Sequence, residues 1–301
     1  AAMTLLLFGL FFLFMLLGVP IAFAIGASTL YALHQSGVPL MVVTQQMFQG
    51  INSFALVAIP MFILAGDLMA QGKVSEKLVS FADSLVGFMR GGLSVVSVMA
   101  GMFFAAISGS GAATTAAVGS SLVPELKRKG YDPASAASLI AASGTIGVVI
   151  PPSVPMIIYA VIAQQSVSKL FLNGFLPGLA MGLGLMAIAI AQAYKRQYPK
   201  GTPLSLSTIW TTFKDASWGL MTPVIILGGI FSGIFTPSEA AVVAVNYAML
   251  VSLFVYRDLN LPQIYKLLIR SAMTTAVIML VIAMSAVLSW TLSSWQVPGA
   301  I

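Results

Sequence analysis

The sequence predicts an all-α, polytopic membrane protein that contains re-entrant helical hairpins and discontinuous helices. Only 7% of its 301 residues are charged and 59% are hydrophobic, whereas a soluble globular domain carries about 25% charged residues. The apolar stretches have the length of helices and lack the alternating pattern of a membrane β-barrel. Two of them are interrupted near their middle, at residues 108–111 and 143–153, by residues that disfavour a continuous helix.

The net charge of +6 is a signal of membrane topology. The basic residues lie in short connections between apolar stretches, which is the positive-inside pattern and argues against nucleic-acid binding. The lack of cysteine in the sequence excludes disulfides, iron–sulfur clusters and thiolate metal sites. The first apolar stretch has no basic region and no small-residue cleavage site, so a cleaved signal peptide is not expected.

The first 90 residues predict membrane spans followed by a surface helix. Residues 3–34 are uncharged and interrupted at residues 18–20, which fits either one kinked helix or two shorter ones. Residues 51–70 form the next predicted span. Charged and apolar residues then interleave over residues 73–90, a pattern typical of an amphipathic helix in the membrane interface.

Residues 90–129 predict the first re-entrant hairpin. No charged residue lies between Arg90 and Glu125, and both flanks are basic, so the chain is expected to enter and leave on the cytoplasmic face. The turn falls at residues 108–111 (Ser-Gly-Ser-Gly), which favour a break in the helix. Because a break at membrane depth needs protein or a water-filled cavity to satisfy its backbone, we predict a polar hairpin tip that holds ions.

The next apolar stretch predicts a broken helix. Asp132 is a suitable N-cap and Pro133 suits the first helical turn. Two glycines and three prolines between residues 144 and 155 cannot continue a regular helix. We therefore predict two half-helices, at about residues 133–143 and 154–165, joined by unwound backbone.

The rest of the chain predicts further spans and a second copy of the same pattern. Residues 171–193 form one span, residues 204–215 an interfacial segment, and residues 217–256 two helices. An amphipathic piece at residues 257–270 then leads into the uncharged residues 271–301. Inverted repeats of this kind are typical of secondary transporters, and the second repeat is incomplete in this chain. Both repeats have basic flanks, which leaves the topology of the second hairpin open.

The two breaks predict an ion-coupled transport site rather than an enzyme. Unwound carbonyls and half-helix C-termini supply the hard oxygen ligands that sodium prefers, and half-helix N-termini suit an anionic substrate. Carboxylates are scarce in the apolar stretches, which argues against a carboxylate proton relay. The Gly109–Gly111 segment lacks the strand context of a nucleophile elbow, and a single histidine leaves few catalytic bases.

Five segments together carry a resemblance to a known family. The chain resembles the large membrane subunit of tripartite ATP-independent periplasmic (TRAP) transporters, the DctM-like permeases, over essentially its whole length. It looks like the N-terminal two-thirds of such a subunit. The segments are LGVPIAFAIG at 17–26, IPMFILAGDLM at 59–69, FFAAISGSGAATTAAVG at 103–119, YDPASAASLIAASGTIGVVIPPS at 131–153 and GIFTPSEAAVVA at 233–244.

The resemblance implies a sodium-coupled, elevator-type uptake system in the bacterial inner membrane, with sodium as coupling ion and no organic cofactor. A periplasmic binding protein would deliver an organic acid, such as a C4-dicarboxylate or sialic acid. A small four-helix membrane subunit would support the scaffold, and membrane lipid would surround it. The scaffold would comprise residues 1–70 and 166–256, the arms 71–92 and 257–272, and the transport domain 93–165 and 273–301.

The resemblance also implies the site residues by motif. Sodium would be held by the first hairpin tip and by the facing unwound segment, and a second sodium site would draw on the second hairpin. The implied sodium residues are Ser108, Gly109, Ser110, Gly111, Ser143, Gly144, Thr145 and Gly147, with Ser285, Ser289 or Thr291 for the second site. The implied substrate residues are Ser110, Thr114, Pro152 and Ser153, with Pro151 shaping the same break.

Two alternatives stay open at the level of the sequence. The first is a stand-alone ion-coupled anion transporter with the same hairpins and no binding protein. The second is a channel-like or structural membrane component without coupled transport. For the second alternative, Ser110→Ala or Gly144→Leu would leave sodium dependence unchanged.

Overall fold

The computed structural model describes residues 2–71, 73–201 and 203–299, and this part of the chain is all-helical, as predicted. Residues 1, 72, 202, 300 and 301, which the predicted domain ranges include, lie outside it. The α-helices are α1 (Ala2–Leu16), α2 (Ile21–Gln35), α3 (Met41–Ile51), α4 (Ala58–Gln71), α5 (Val74–Val86), α6 (Gly92–Ser108), α7 (Gly111–Arg128), α8 (Pro133–Thr145), α9 (Val154–Ile162), α10 (Val167–Lys195), α11 (Leu206–Phe231), α12 (Pro237–Leu250) and α13 (Leu261–Ser294). Short 3-10 turns occur at Phe54–Val57, Ile146–Val148 and Val297–Gly299, and a π-helical turn at Val251–Val255.

Several helices of the described residues are long and apolar enough to cross a membrane. α6 is shorter: its 17 residues reach only about 25 Å at 1.5 Å per residue. That length falls short of a hydrocarbon core of about 30 Å. The four helical stretches of sufficient length are Phe54–Gln71, Val167–Lys195, Pro237–Val255 and Leu261–Ser294.

The described chain divides into two compact units. The first contains the residues up to Leu56 and those from Ala272 onwards, and the second is Val57–Ser271. In the first unit α1 and α2 pack against each other as two separate helices. The break between them falls where Gly18 has a φ of +79°, a conformation that suits glycine. The two-helix alternative for residues 3–34 is therefore correct.

The core of the first unit joins α2, α3 and α13. Leu33, Val43 and Val287 are buried together, and Trp290 packs against them. Gly26 of α2 lets α13 approach closely, since a Cβ at this position would lie 2.8 Å from the sulfur of Met284. α3 has no counterpart among the predicted elements.

In the second unit α4 packs on α12 and α6, α5 on α6 and α11, α7 on α8, and α10 on α6. α5 lies where an amphipathic helix was predicted, and its buried residues Val74, Leu78 and Ala82 recur every four positions along one face. Its exposed side reaches α11 through an ion pair, with the Lys77 Nζ 2.8 Å from an Asp215 carboxylate oxygen.

Two helices continue through positions where the sequence suggested a change of element. α11 is one helix from Leu206 to Phe231, so residues 204–215 do not form a separate segment. The first glycine after Leu206 is Gly219, and nothing earlier disfavours the helix. α13 likewise runs unbroken across the predicted change from amphipathic piece to hairpin near residue 272, because it contains no glycine and its one proline lies in the first turn.

The start of α8 is fixed by Asp132, as its sequence predicts. An Asp132 carboxylate oxygen accepts a hydrogen bond from the Ser135 amide at 2.9 Å, which is the geometry of an N-cap. The same carboxylate lies 3.2 Å from a guanidinium nitrogen of Arg196 at the end of α10. Asp132 therefore ties the first turn of α8 to the last turn of α10.

We expect Asp132→Ala to lower the melting temperature of the purified protein, and Asp132→Asn to lower it less, because asparagine still caps a helix. The amide of Ser135, together with its hydroxyl and the charge of Arg196, holds the pKa of the Asp132 carboxyl below its usual range. A lowered pKa stabilises the fold above the usual pKa, and this contribution is lost as pH falls through the lowered value. Melting curves of both variants from neutral to acidic pH should therefore converge on wild type; a constant difference would contradict this account.

Candidate functional site

The first predicted break is a tight turn between two helices. α6 ends at Ser108, Gly109 adopts a φ of +61°, and α7 begins at Gly111. Glycine accepts this left-handed conformation because it has no Cβ. Ser110 then caps α7, with its hydroxyl accepting a hydrogen bond from the Ala113 amide at 3.4 Å. The Ser-Gly-Ser-Gly sequence thus reverses the chain within two residues.

The hydroxyls at this turn form one buried network. The Thr114 hydroxyl donates to the Ser110 carbonyl at 2.8 Å and lies 3.0 Å from the Ser108 hydroxyl oxygen. The Ser110 amide donates to that same Ser108 oxygen at 3.3 Å. Ser108 and Thr114 are almost completely inaccessible to solvent, at 1% and 0% exposure. The hairpin tip is therefore polar and neutral, with Ser108 and Thr114 buried and Ser110 partly exposed.

The second predicted break separates α8 from α9. α8 ends at Thr145, a 3-10 turn follows, and α9 begins at Val154. The buried hydroxyl of Ser153 donates to the Val148 carbonyl at 2.6 Å and accepts from the Met156 amide at 3.4 Å. Ser153 thus caps α9 and also holds the non-helical connection against it.

The two breaks touch each other directly. The Val154 amide, at the start of α9, donates to the Gly109 carbonyl at 3.2 Å. A Cβ at Gly109 would lie 2.5 Å from the Pro152 carbonyl oxygen, so the two backbones approach at a distance that only glycine permits. The ends of α6, α7 and α9 therefore meet at one point.

The last turn of α8 joins the same cluster through three glycines. A Cβ at Gly111 would lie 2.9 Å from the Gly144 carbonyl oxygen, and one at Gly147 would lie 2.6 Å from the Thr114 hydroxyl. A Cβ at Gly144 would overlap the Thr115 hydroxyl. The C-terminal ends of α6 and α8 and the N-terminal ends of α7 and α9 thus share one neutral environment.

The structure brings most of the predicted site residues together, but not all. The Ser143 hydroxyl donates to the Ile140 carbonyl at 2.8 Å and its side chain packs against Gly101 of α6. Thr145 is exposed, and its hydroxyl donates to the Ala142 carbonyl at 2.7 Å. Both side chains bond within their own helix instead of joining the hydroxyl network at the tip.

The residues predicted for a second sodium site lie in α13, within the first compact unit. Ser285 is partly buried and Ser289 is exposed. Thr291 is buried, and its hydroxyl donates to the Val287 carbonyl at 2.8 Å. The structure places all three on continuous helix rather than at a break, and their role stays a prediction.

One neighbour of the tip was not predicted as a site residue. Gly66 of α4 lies against the end of α6, where a Cβ would be 2.9 Å from the Ser108 carbonyl oxygen. Nothing in the local pattern around Gly66 marks this approach. It belongs, however, to the segment IPMFILAGDLM, which is one of the five that carry the family resemblance.

The cluster offers neutral oxygen ligands. Among the described side chains, no group of three or more histidine, aspartate or glutamate residues could hold a metal ion. Backbone carbonyls at the ends of α6 and α8 and the hydroxyls of Ser108 and Thr114 are hard oxygens, which suit sodium in the absence of carboxylates. The N-termini of α7 and α9 carry the positive ends of helix dipoles, which favour an anion.

Comparison with known proteins identifies the family. The model for the DctM component of tripartite ATP-independent periplasmic transporters matches residues 8–301. The isethionate TRAP transporter permease protein DctMQ of Oleidesulfovibrio alaskensis is 41% identical, over 98% of this chain and 47% of the relative. The C4-dicarboxylate TRAP transporter large permease protein DctM of Rhodobacter capsulatus is 37% identical, over 99% of this chain and 71% of the relative. The sialic acid TRAP transporter permease protein SiaT of Haemophilus influenzae is 36% identical, over 89% of this chain and 44% of the relative.

These relatives are transporter permeases and not enzymes, in agreement with the expectation from the sequence. The chain spans about half the length of two of them and 71% of the third. The family model covers nearly the whole chain, and the apolar helices have the length that a membrane protein requires. This chain therefore belongs to the DctM component family of tripartite ATP-independent periplasmic transporters.

Proposed function

We propose that the protein containing this chain is the large membrane subunit of a sodium-coupled transporter that imports an organic acid. The observation that carries the proposal is the contact between the two interrupted helices, through the Val154 amide and the Gly109 carbonyl at 3.2 Å. This contact gathers four helix ends around one buried, neutral network. Helix ends of this kind are what secondary transporters use for ions and anionic substrates.

The proposed sodium site is the hairpin tip and the facing end of α8. Backbone carbonyls and hydroxyls in residues 108–111 and 143–147 supply its oxygens. These oxygens carry no net charge. They bind sodium less tightly than carboxylates would, so the ion can be released after transport. The proposed second sodium site draws on Ser285 and Ser289.

The proposed substrate site lies at the N-termini of α7 and α9, beside Ser110, Thr114, Pro152 and Ser153. At α7 the amides of Gly111 and Ala112 are not used by the cap and can bind an anion. At α9 the Val154 and Met156 amides are already bonded and Pro155 has no amide hydrogen, so this helix contributes the positive end of its dipole. Relatives are named for isethionate, C4-dicarboxylate and sialic acid, and all three carry an acidic group. An organic acid bound through its anionic group is therefore the substrate class that we propose for this protein.

The proposed mechanism is an elevator movement with two partners. α6, α7 and α8 pack closely on one another, which suits a body that moves as one piece within the transport domain (residues 93–165 and 273–301). The arms at 71–92 and 257–272 would link it to the scaffold. A periplasmic binding protein would deliver the acid in the bacterial inner membrane. The exposed leucines of α10, such as Leu176 and Leu183, suit contact with lipid or with the small four-helix subunit.

The test is uptake into proteoliposomes that contain the full-length subunit and its small partner. We expect uptake of a suitable organic acid to require both an inward sodium gradient and the added binding protein. Replacing sodium with potassium should abolish it. Sodium-driven uptake without the binding protein would favour the stand-alone transporter instead, and no coupled uptake across a panel of carboxylates and sulfonates would overturn the proposal.

We expect Ser110→Ala to raise the sodium concentration for half-maximal uptake by roughly 10- to 150-fold, because a bond between a hydroxyl and a charged partner contributes roughly 1.5–3 kcal/mol. The measurement is initial uptake rate against sodium concentration. The matched control is Ser138→Ala, an exposed serine of α8 whose hydroxyl donates to the Ser135 carbonyl at 3.0 Å, away from the breaks. Unchanged sodium dependence in Ser110→Ala would support the channel-like alternative.

A further inference from the structure

A pair of basic residues is held together where α10 ends and α6 begins. Arg90 and Lys200 face each other in an isolated antiparallel bridge, and the neighbouring Gly91 amide donates to the Pro199 carbonyl at 3.0 Å. Directly opposed residues in an antiparallel pair have their side chains about 5 Å apart, and like charges in such positions repel each other. The backbone therefore concentrates positive charge at this point.

The two cations line a cavity of about 520 Å³ that also has an apolar side. Ile190 and Tyr194 lie four residues apart on α10 and thus on the same face of the helix. Phe88 and Tyr194 are exposed, at 44% and 62%. The lining residues are Phe88, Met89, Arg90, Ile190, Tyr194 and Lys200.

The charges of this cavity are not balanced within the protein. None of the ion pairs between described side chains includes Arg90 or Lys200. The Nε of Arg90 is buried and has no hydrogen-bond partner. Lys200 also borders a second cavity, which contains Asp83 and Lys129. No acidic residue is among those that line the cavity of Arg90, and Asp83 shares the second cavity with Lys129.

We propose that the cavity binds the head group of an anionic phospholipid. α10 is long and apolar enough to cross a membrane and ends at Lys195, and a cavity beside the end of such a helix lies where lipid phosphates are expected. Basic residues mark this end as cytoplasmic, and basic pockets between helices on that side bind anionic head groups. The phosphate neutralises Arg90 and Lys200, and the acyl chains run along Ile190 and the exposed Leu183, which lies seven residues earlier on the same face of α10. This proposal does not depend on the transport mechanism.

The test is lipid retention by the purified full-length subunit, measured by native mass spectrometry in detergent. Phosphatidylglycerol and phosphatidylcholine with the same acyl chains are the two probes. We expect phosphatidylglycerol to be retained about 25-fold better, because each of the two basic residues near the anionic head group contributes roughly a fivefold preference. An excess of inorganic phosphate should not displace it, since the acyl chains contribute to binding.

The variants separate this site from a general effect of charge. Arg90→Gln with Lys200→Gln should reduce phosphatidylglycerol retention about 25-fold, and Arg90→Lys with Lys200→Arg should keep it. The matched control, Lys127→Gln with Arg128→Gln, removes the same charge at the exposed end of α7 and should retain lipid as wild type does. Lys200 is exposed, so Lys200→Gln alone can replace the double variant if that does not fold. It should also retain less phosphatidylglycerol than the control variant does. Equal retention of both lipids, or equal loss in the control, would overturn the proposal.

Discussion

Gly109→Ala should destabilise the protein by roughly 2–5 kcal/mol, whereas Gly130→Ala should cost only about 1–2 kcal/mol. Both glycines have a positive φ, +61° and +80°, and an alanine in this conformation is unfavourable by about 1–2 kcal/mol. Gly130 has no atom within 4 Å of the position of a Cβ, so it reports this conformational cost alone. At Gly109 the added Cβ also meets the Pro152 carbonyl oxygen at 2.5 Å, and overpacking adds roughly 1–3 kcal/mol.

The difference in unfolding free energy between Gly109→Ala and Gly130→Ala measures how closely the two breaks approach each other. Both variants and wild type are unfolded by denaturant in detergent. The change in unfolding free energy relative to wild type is then obtained for each variant. Uptake in proteoliposomes should be lost in Gly109→Ala and retained in Gly130→Ala, because only the first separates the Gly109 carbonyl from the Val154 amide. Equal destabilisation by the two substitutions would show that the hairpin tip and the segment before α9 are not in contact.

The sequence located the breaks because the residues that cause them act locally. Gly109 is needed for a positive φ, Ser110 and Ser153 cap the helices that follow, and consecutive prolines after Ile150 cannot remain in α8. Each of these effects depends on a few adjacent residues. The last residue of α8, Thr145, and the first residue of α9, Val154, consequently lie within two residues of the predicted positions.

The contact between the breaks could not be predicted in the same way. The Val154 amide and the Gly109 carbonyl are separated by more than 40 residues, and no local pattern specifies such a pairing. The same limit applies to Gly66, whose role depends on how α4 packs against α6. The continuity of α13 was missed for another reason: a change from amphipathic to uniformly apolar sequence alters the surroundings of a helix without interrupting its backbone hydrogen bonds.

Thr114→Val should reduce the uptake efficiency, kcat/KM, for the organic acid by roughly 10- to 100-fold, which corresponds to about 1.4–2.8 kcal/mol. Valine has almost the same shape as threonine, so packing is kept while the hydroxyl is lost. The Thr114 hydroxyl lies 3.0 Å from the Ser108 oxygen and donates to the Ser110 carbonyl at 2.8 Å. Its removal leaves the Ser108 hydroxyl and the Ser110 carbonyl without this hydrogen-bond partner. Thr114→Ser keeps the hydroxyl and should restore most of the uptake.

The matched control for this substitution is Thr211→Val on α11. The hydroxyl of Thr211 makes the same local bond to a carbonyl four residues earlier, at 2.9 Å to Ser207, but it is exposed and far from any break in its helix. Thr211→Val should therefore leave uptake unchanged. The assay is initial uptake rate against substrate concentration at saturating sodium, normalised to folded protein. If Thr114→Val lowers only the melting temperature and leaves the normalised KM and kcat intact, the hydroxyl network supports the hairpin but does not contact the substrate. A raised KM that Thr114→Ser corrects, by contrast, would place the network in the binding site itself.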